Sequence, residues 1–292
     1  MDRKKSLIGI VAAILIGILV ALAGSSGSAT VGSIAVFAIC ALLAYGINWL
    51  VFIPSNQRKT EHYFDLTGSI TYVSVVIVAL LLSDNLDARA LIVGGMVIVW
   101  AARLGSFLFR RVRRDGRDGR FDEIKVDPLR FFMTWTLQGL WVLLTLAAAL
   151  AIITSVERKT IGAVGIIGIA IWLAGFAIEV VADRQKSAFK QNPNNKGRFI
   201  STGLWAWSRH PNYFGEIVLW IGVAVMAVPI LSGWRWVTLI SPIFVILLLT
   251  KVSGVPMLEK RAADRWGDEA DYRRYVENTP VLVMRPPVRS TK

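Results

Sequence analysis

The chain has 292 residues, 54% of them hydrophobic and only 18% charged, with a mean hydropathy of +0.54 and a formal net charge of +13. That balance excludes an ordinary soluble domain of this length. A single cysteine, Cys40, excludes an intrachain disulfide framework and a cysteine-based metal site, and the basic surplus alone does not point to nucleic acid, because polytopic membrane proteins gather Lys and Arg on one face.

A helix of roughly 17 to 25 apolar residues crosses a hydrocarbon core of about 30 Å with every backbone hydrogen bond satisfied internally. Eight runs qualify, at 7–24, 31–53, 66–82, 90–109, 131–153, 161–181, 214–231 and 236–254. The expected fold is all-α, a polytopic transmembrane bundle of seven to eight helices with a cytoplasmic cofactor-binding face. Residues 1–30 are expected to form an N-terminal anchor and 31–292 a single domain with a cytoplasmic tail. Arg3, Lys4 and Lys5 ahead of the first run imitate a secretory signal, but the run exceeds the ~7 to 15 residues of a signal core, so an uncleaved anchor is expected.

With both termini in the cytoplasm and the chain in the cell membrane, the cytoplasmic connections collect Arg58, Lys59, the 110–130 loop, and Arg184, Lys186, Lys190, Lys196, Arg198 and Arg209. The opposite side keeps Arg89, Arg158, Lys159 and Arg235. This follows the positive-inside rule, and membrane lipids rather than nucleic acid are the expected partners. The stretch RRVRRDGRDGRFD at 110–122 is denser than topology requires, and two cationic loops suit a phosphate-bearing cofactor as well as anionic lipid. Gly162, Gly165 and Gly168 recur at helical spacing with no preceding strand, which favours close helix packing over a dinucleotide motif. Beyond the last run, EKRAADRWGDEADYRRYVENTP is expected to fold as short amphipathic helices docked on the cytoplasmic face.

Polar residues inside or at the mouths of membrane helices are costly and mark candidate sites. Glu179 and Asp183 share one helical face; SRHPNYFGE at 208–216 starts the seventh helix; QRKTEHYFD at 57–65 joins the second to the third. Pro211 suits a first helical turn, which puts Arg209 and His210 at a helix N-terminus that attracts anions, and Asn212 and Glu216 share a face beside the Tyr213 phenol. His62 and His210 are the only histidines, and neither has a partner at metal-ligand spacing, so no metal is expected.

The stretch 175–280, with EVVADRQKSAFK, GRFISTGLWAWSRHPNYFGE, GVPMLEKR and YRRYVENTP, resembles the bacterial DUF1295 family of the steroid 5α-reductase-like superfamily. Residues 103–122 resemble it more weakly, and the first three helices match only in hydrophobicity. The resemblance implies an NADPH-dependent reductase whose helices hold the cofactor at their cytoplasmic mouth and a lipidic or steroid-like substrate between them. The implied cofactor residues are Asp183, Arg198, Asn212, Tyr213 and Glu216, with Arg103, Arg113 and Arg114 for the phosphates. Trp205 and His210 lie in the motif without an assigned contact.

Two departures stand out. Aligning Arg103 with the arginine that follows the steroid reductases' catalytic tyrosine puts Trp100 in the tyrosine's place. Their carbonyl-holding Gln-Glu pair has only Gln57, Glu61 and Asp65 as nearby counterparts. The expected activity is reduction of an activated C=C bond, with Tyr213, Tyr63 or Glu61 as proton donor. Two alternatives stay open. An S-adenosylmethionine-dependent membrane methyltransferase shares the RHP-x-Y-x-G run, and a lipid-binding protein of the same fold without chemistry would account for Trp100.

Overall fold

The computed structural model describes residues 3–115 and 119–287, apart from the side chains of 107–115 and 120. The helices are α1 (Arg3–Ser25), α2 (Val36–Gln57), α3 (Phe64–Leu82), α4 (Ala88–Asp115), α5 (Pro128–Ile153), α6 (Ala163–Gln191), α7 (Pro211–Ala227), α8 (Ile240–Leu247), α9 (Val255–Trp266) and α10 (Ala270–Asn278). A two-residue hairpin, β1 (Thr30–Val31) and β2 (Ile34–Ala35), is the only sheet among the described residues. Eight helical stretches are long and apolar enough to cross a membrane, and each contains or overlaps one of the eight hydrophobic runs. The last is composite, Gly233–Trp266, running from a 3₁₀ segment through α8 and a π-helical turn into α9. The protein is therefore an all-α, multi-pass membrane protein.

The chain divides into two compact units, Met1–Gly165 with Met226–Ser241, and Ile166–Val225 with Pro242–Lys292. In the first unit α5 is the core helix, contacted by α1, α2, α3 and α4. Residues 142–153 of α5 are all buried, so the helix is apolar all round, as an interior membrane helix must be. Asp127 caps it, accepting from the amides of Leu129 and Arg130, and Pro128 occupies the first turn, where its missing N–H costs nothing.

The four cations that the sequence assigns to the sparse side all belong to this unit, and all four donate to main-chain carbonyls. Arg235 reaches the oxygen of Ala151 at 2.8 Å, and Arg158 those of Ile152 and Ile153, each at 3.3 Å. Arg89 reaches Met226 at 2.7 Å and Thr160 at 2.8 Å, and Lys159 reaches Pro229 at 2.7 Å. The last carbonyls of a helix lack intrahelical donors and carry its negative dipole end, so a cation there satisfies both needs. These residues thus close the ends of α5 and α7.

In the second unit, α6 and α7 meet backbone to backbone. A Cβ on Gly175 would lie 2.5 Å from the Leu219 nitrogen, one on Gly215 2.6 Å from the Glu179 nitrogen, and one on Gly222 2.7 Å from the Gly168 oxygen. Of the three glycines expected to pack closely, Gly168 offers its oxygen to the approach of Gly222, a Cβ on Gly165 would meet Ile161 of the preceding turn at 3.0 Å and Arg89 at 3.8 Å, and Gly162 has nothing within 4 Å of where a Cβ would sit.

Candidate functional site

The site in the second unit grows from the turn before α7. Pro211 starts that helix, as its fixed φ favours. Just ahead of it, Ser208, Arg209 and His210 are held by the C-terminal segment. The Arg209 amide donates to Pro280 at 2.9 Å, the Ser208 hydroxyl to Leu282 at 2.9 Å, and the Arg285 amide to Trp207 at 3.0 Å. The His210 amide donates to the Ser208 hydroxyl at 3.1 Å.

Opposite this turn stands α9, and its direction is set by a break in the composite helix. A π-helical turn, Leu248–Val252, is followed by Gly254, where a Cβ would lie 2.3 Å from the Leu249 oxygen, and Pro256 restarts the helix. The redirected α9 brings Glu259 to both Arg209 and His210. One carboxylate oxygen pairs with the Arg209 guanidinium and the other meets His210 Nε2 at 2.7 Å. The side chains of Arg209 and His210 are only 12% and 6% exposed, so this clasp is largely shielded from solvent.

Between the turn, the far end of α6 and α9–α10 lies a cavity of about 290 Å³. Six cations line it, Lys186, Lys190, Arg198, Arg209, Arg261 and Arg265, against one carboxylate, that of Glu259. Its other wall is aromatic. Phe199 packs against Trp266, Tyr272 and Tyr275 with ring centroids 5.1 to 6.0 Å away. Lys186 lies over the Trp205 ring at 4.4 Å, and Arg265 over Trp266 at 4.8 Å. The indole of Trp266 donates to the Gly197 oxygen at 2.5 Å, and the Tyr275 phenol to the Trp205 oxygen at 2.7 Å. The tail is thus two amphipathic helices docked on the 197–209 segment, in line with the sequence reading.

Burial pushes the Tyr272 and Tyr275 phenols above the ordinary tyrosine range. A phenol whose pKa is higher in the docked than in the released tail favours docking at every pH below its released value, and that contribution fades as pH rises from about 10. Tail release, followed by Trp266 fluorescence or tryptic cleavage, is expected to begin there. Tyr275→Phe should flatten the transition, whereas an unchanged profile would place the titrating group elsewhere.

Of the residues implied by the resemblance, Arg198 lines the cavity. Asp183, only 8% exposed on α6, accepts from the Asn212 amide at 3.2 Å, and the Tyr213 ring stacks on His210 at 5.7 Å. Glu179 is buried one turn before Asp183, and Glu216 is half-buried on α7. Arg103 belongs to α4 in the first unit, while the side chains of Arg113 and Arg114 lie outside the described residues. Glu61 is buried and ion-paired with Lys125 at 2.7 Å, and Tyr63, just before α3, is 50% exposed. Trp100 is fully buried and meets Tyr72 edge to face at 5.1 Å.

Sequence reasoning missed Glu259, Phe199, Trp266, Tyr272 and Tyr275 as members of one site. The aromatic spacing of the tail was the available signal, but it indicated docking without naming the surface.

Two curated relatives share part of the sequence. An uncharacterized protein of Schizosaccharomyces pombe is 25% identical over 160 residues, 46% of each chain. A probable O-methyltransferase, ustE, of Ustilaginoidea virens is 33% identical over 66 residues, 23% of each. The chain thus spans less than half the length of these relatives. No solved structure matches it. The profile of the family described as "Protein of unknown function (DUF1295)" matches residues 51–279, most of the chain, and the protein therefore belongs to DUF1295, a family of the steroid 5α-reductase-like superfamily.

Proposed function

We propose that this protein is an NADPH-dependent reductase of an activated C=C bond in a sterol-like or other lipidic substrate, oriented in the cell membrane with both termini in the cytoplasm. The observation that carries this reading is the charge of the aromatic cavity, six cations against one carboxylate that is already held by Arg209 and His210. NADPH brings a pyrophosphate and a 2′-phosphate, and guanidinium groups suit such anions. S-adenosylmethionine brings a sulfonium and an ammonium against a single carboxylate, so the same cavity repels it.

A volume of about 290 Å³ matches the adenosine-phosphate end of the cofactor rather than the whole dinucleotide, being at the lower end of the ~300–1,000 Å³ usual for ligand pockets. Trp266 and Tyr272 offer rings for the adenine, while Arg198, Arg261 and Arg265 hold the phosphates. Asp183 and Asn212, bonded to each other, do not line the cavity itself; on this reading their carboxylate and amide serve the ribose or carboxamide groups of the cofactor beyond it. When bound, NADPH supplies a hydride to the β-carbon of the conjugated substrate. The α-carbon proton then comes from an acid of this chain. Of the candidate acids, Glu61 is ion-paired with Lys125 and Tyr63 is half exposed, whereas the Tyr213 phenol belongs to the same unit as the cavity and its ring stacks on His210, which lines it.

The likeness to ustE supports a second reading, an S-adenosylmethionine-dependent methyltransferase. Calorimetric titration of the purified full chain separates the two. NADPH is expected to bind and S-adenosylmethionine not to compete. Arg265→Gln is expected to weaken NADPH binding by about ten-fold, the effect of losing one charge-assisted hydrogen bond. Stable protein that binds S-adenosylmethionine and ignores NADPH would overturn the reductase reading.

A further inference from the structure

We propose that Trp207, Val281 and Val283 form an anchor in the membrane interface, a lipid-contacting patch that pins the end of the docked tail to the bilayer surface. After α10 the chain curls back over the turn that precedes α7. The Arg209 amide donates to Pro280 at 2.9 Å, the Ser208 hydroxyl to Leu282 at 2.9 Å and the Arg285 amide to Trp207 at 3.0 Å. Residues 280–285 are therefore held at the depth of residues 207–209.

Helix geometry fixes that depth twice. The crossing stretch that α7 opens, Pro211–Ile230, has 20 residues, which at ~1.5 Å each cover about 30 Å, the thickness of a hydrocarbon core. Pro211 thus stands at the edge of the core. The Trp205 indole, just ahead of Trp207, donates to the Ala182 oxygen of α6 at 3.0 Å. Ala182 follows Ala163, the first residue of α6, by 19 residues or about 29 Å of helix, so this second helix places the turn at the same boundary.

At that boundary three apolar side chains are uncovered: Trp207 is 40% exposed, Val281 39% and Val283 66%. Leu282 and Met284 are half-buried, so the segment turns one apolar set inward and the other out. Single apolar residues on a water-facing surface need no partner. Here the neighbouring solvent is lipid, and tryptophan is a residue type that collects where acyl chains meet headgroups. Arg285 is exposed on the same segment, and residues 280–287 contain no acidic side chain, which suits anionic headgroups.

The tail helices leave this boundary and come back to it. From Ala182 α6 continues to Gln191, about 14 Å farther, and the Trp266 indole reaches the Gly197 oxygen beyond that end at 2.5 Å. The turn around Asp268 therefore stands in water, while residues 280–285 return to lipid. An anchor at the returning end holds in place the two helices that wall the aromatic cavity, whichever ligand that cavity takes.

Fluorescence quenching in nanodiscs of phosphatidylcholine and phosphatidylglycerol, one protein per disc, tests the contact. Val283→Cys, and Asp268→Cys as the aqueous reference, carry a thiol-reactive fluorophore; Cys40 is fully buried, so the wild-type chain serves as the labelling blank. The probe at 283 is expected to be quenched by nitroxide-bearing phosphatidylcholine and to be several-fold less accessible to iodide than the probe at 268. Equal iodide quenching at both positions overturns the proposal. So does a probe at 283 that is shielded from iodide yet untouched by the nitroxide lipid, because protein then covers the patch.

The anchoring role has its own readout. Val283→Asp loses little packing at this exposure but places a carboxylate against the headgroups, so tryptic cleavage within α9 should rise several-fold, and more with phosphatidylglycerol than with phosphatidylcholine alone. An unchanged rate, or a rise that ignores the lipid, overturns that role. Neither measurement involves NADPH, so the outcome is independent of the reductase reading.

Discussion

Gly215→Ala is expected to destabilise the protein by about 1–3 kcal/mol, the usual cost of overpacking, although one methyl group is all it adds. The methyl would lie 2.6 Å from the Glu179 nitrogen and 2.6 Å from the Gly175 oxygen. Both are main-chain atoms of α6, and neither can turn away as a side chain can. Relief requires α6 and α7 to separate along a seam that also holds the close approaches at Gly175 and Gly222. Separation would stretch the 3.2 Å bond from Asn212 to Asp183 and admit water to Glu179, only 2% exposed. On the proposed reductase reading, NADPH affinity should fall with stability. Gly46→Ala is the control, because nothing lies within 4 Å of its added carbon and alanine is the better helix former. Thermal unfolding in detergent reads both variants. Equal midpoints for wild type and Gly215→Ala would refute the backbone seam.

Glu259→Gln should loosen the tail without unfolding the bundle. The substitution keeps the shape but leaves Arg209 and His210, both largely buried, without the anion they share. Removing one partner of a fully buried ion pair costs ~3–5 kcal/mol, whereas exposed pairs contribute ~0–1. With Glu259 at 27% side-chain exposure, about 2 kcal/mol is expected, or roughly thirty-fold in the population of the released tail. Lys260, Arg261 and Arg265 provide tryptic sites on α9 itself, so the cleavage rate there reports release directly. Arg209→Gln should add little on the Glu259→Gln background, because one interaction is lost once. Additive effects would mean that the two residues do not act together.

Membrane helices are legible in sequence because each satisfies its own backbone, so apolar length alone marks it. That is why all eight runs reappear as helices. The ends are less legible. The fourth run stops at 109, yet α4 continues to Asp115 through basic residues, since helix geometry tolerates charge once the chain leaves the hydrocarbon. The candidate site was half legible. SRHPNYFGE declared itself because proline, histidine and a carboxylate rarely gather at a helix mouth, and Asp183 and Asn212 do meet. Glu259 gave no such signal, being one charge among many in a polar tail. Its role depends on where the break at Gly254 directs α9.

The basic asymmetry was likewise visible in composition, but not what each cation does. Sequence counts Arg89, Arg158, Lys159 and Arg235 as a minority on one side of the membrane. Only the fold reveals that they close helix ends, because the carbonyls of Ala151 and Met226 lie 84 and 137 residues from the guanidinium groups that reach them. The sequence by itself determined the solvent of this protein, the number of its membrane-crossing stretches and which residue types gather at the mouth of α7, all of which follow from local composition. The tertiary structure decided which distant charges pair, which glycines touch and where cavities open, because such contacts join residues that no local pattern connects.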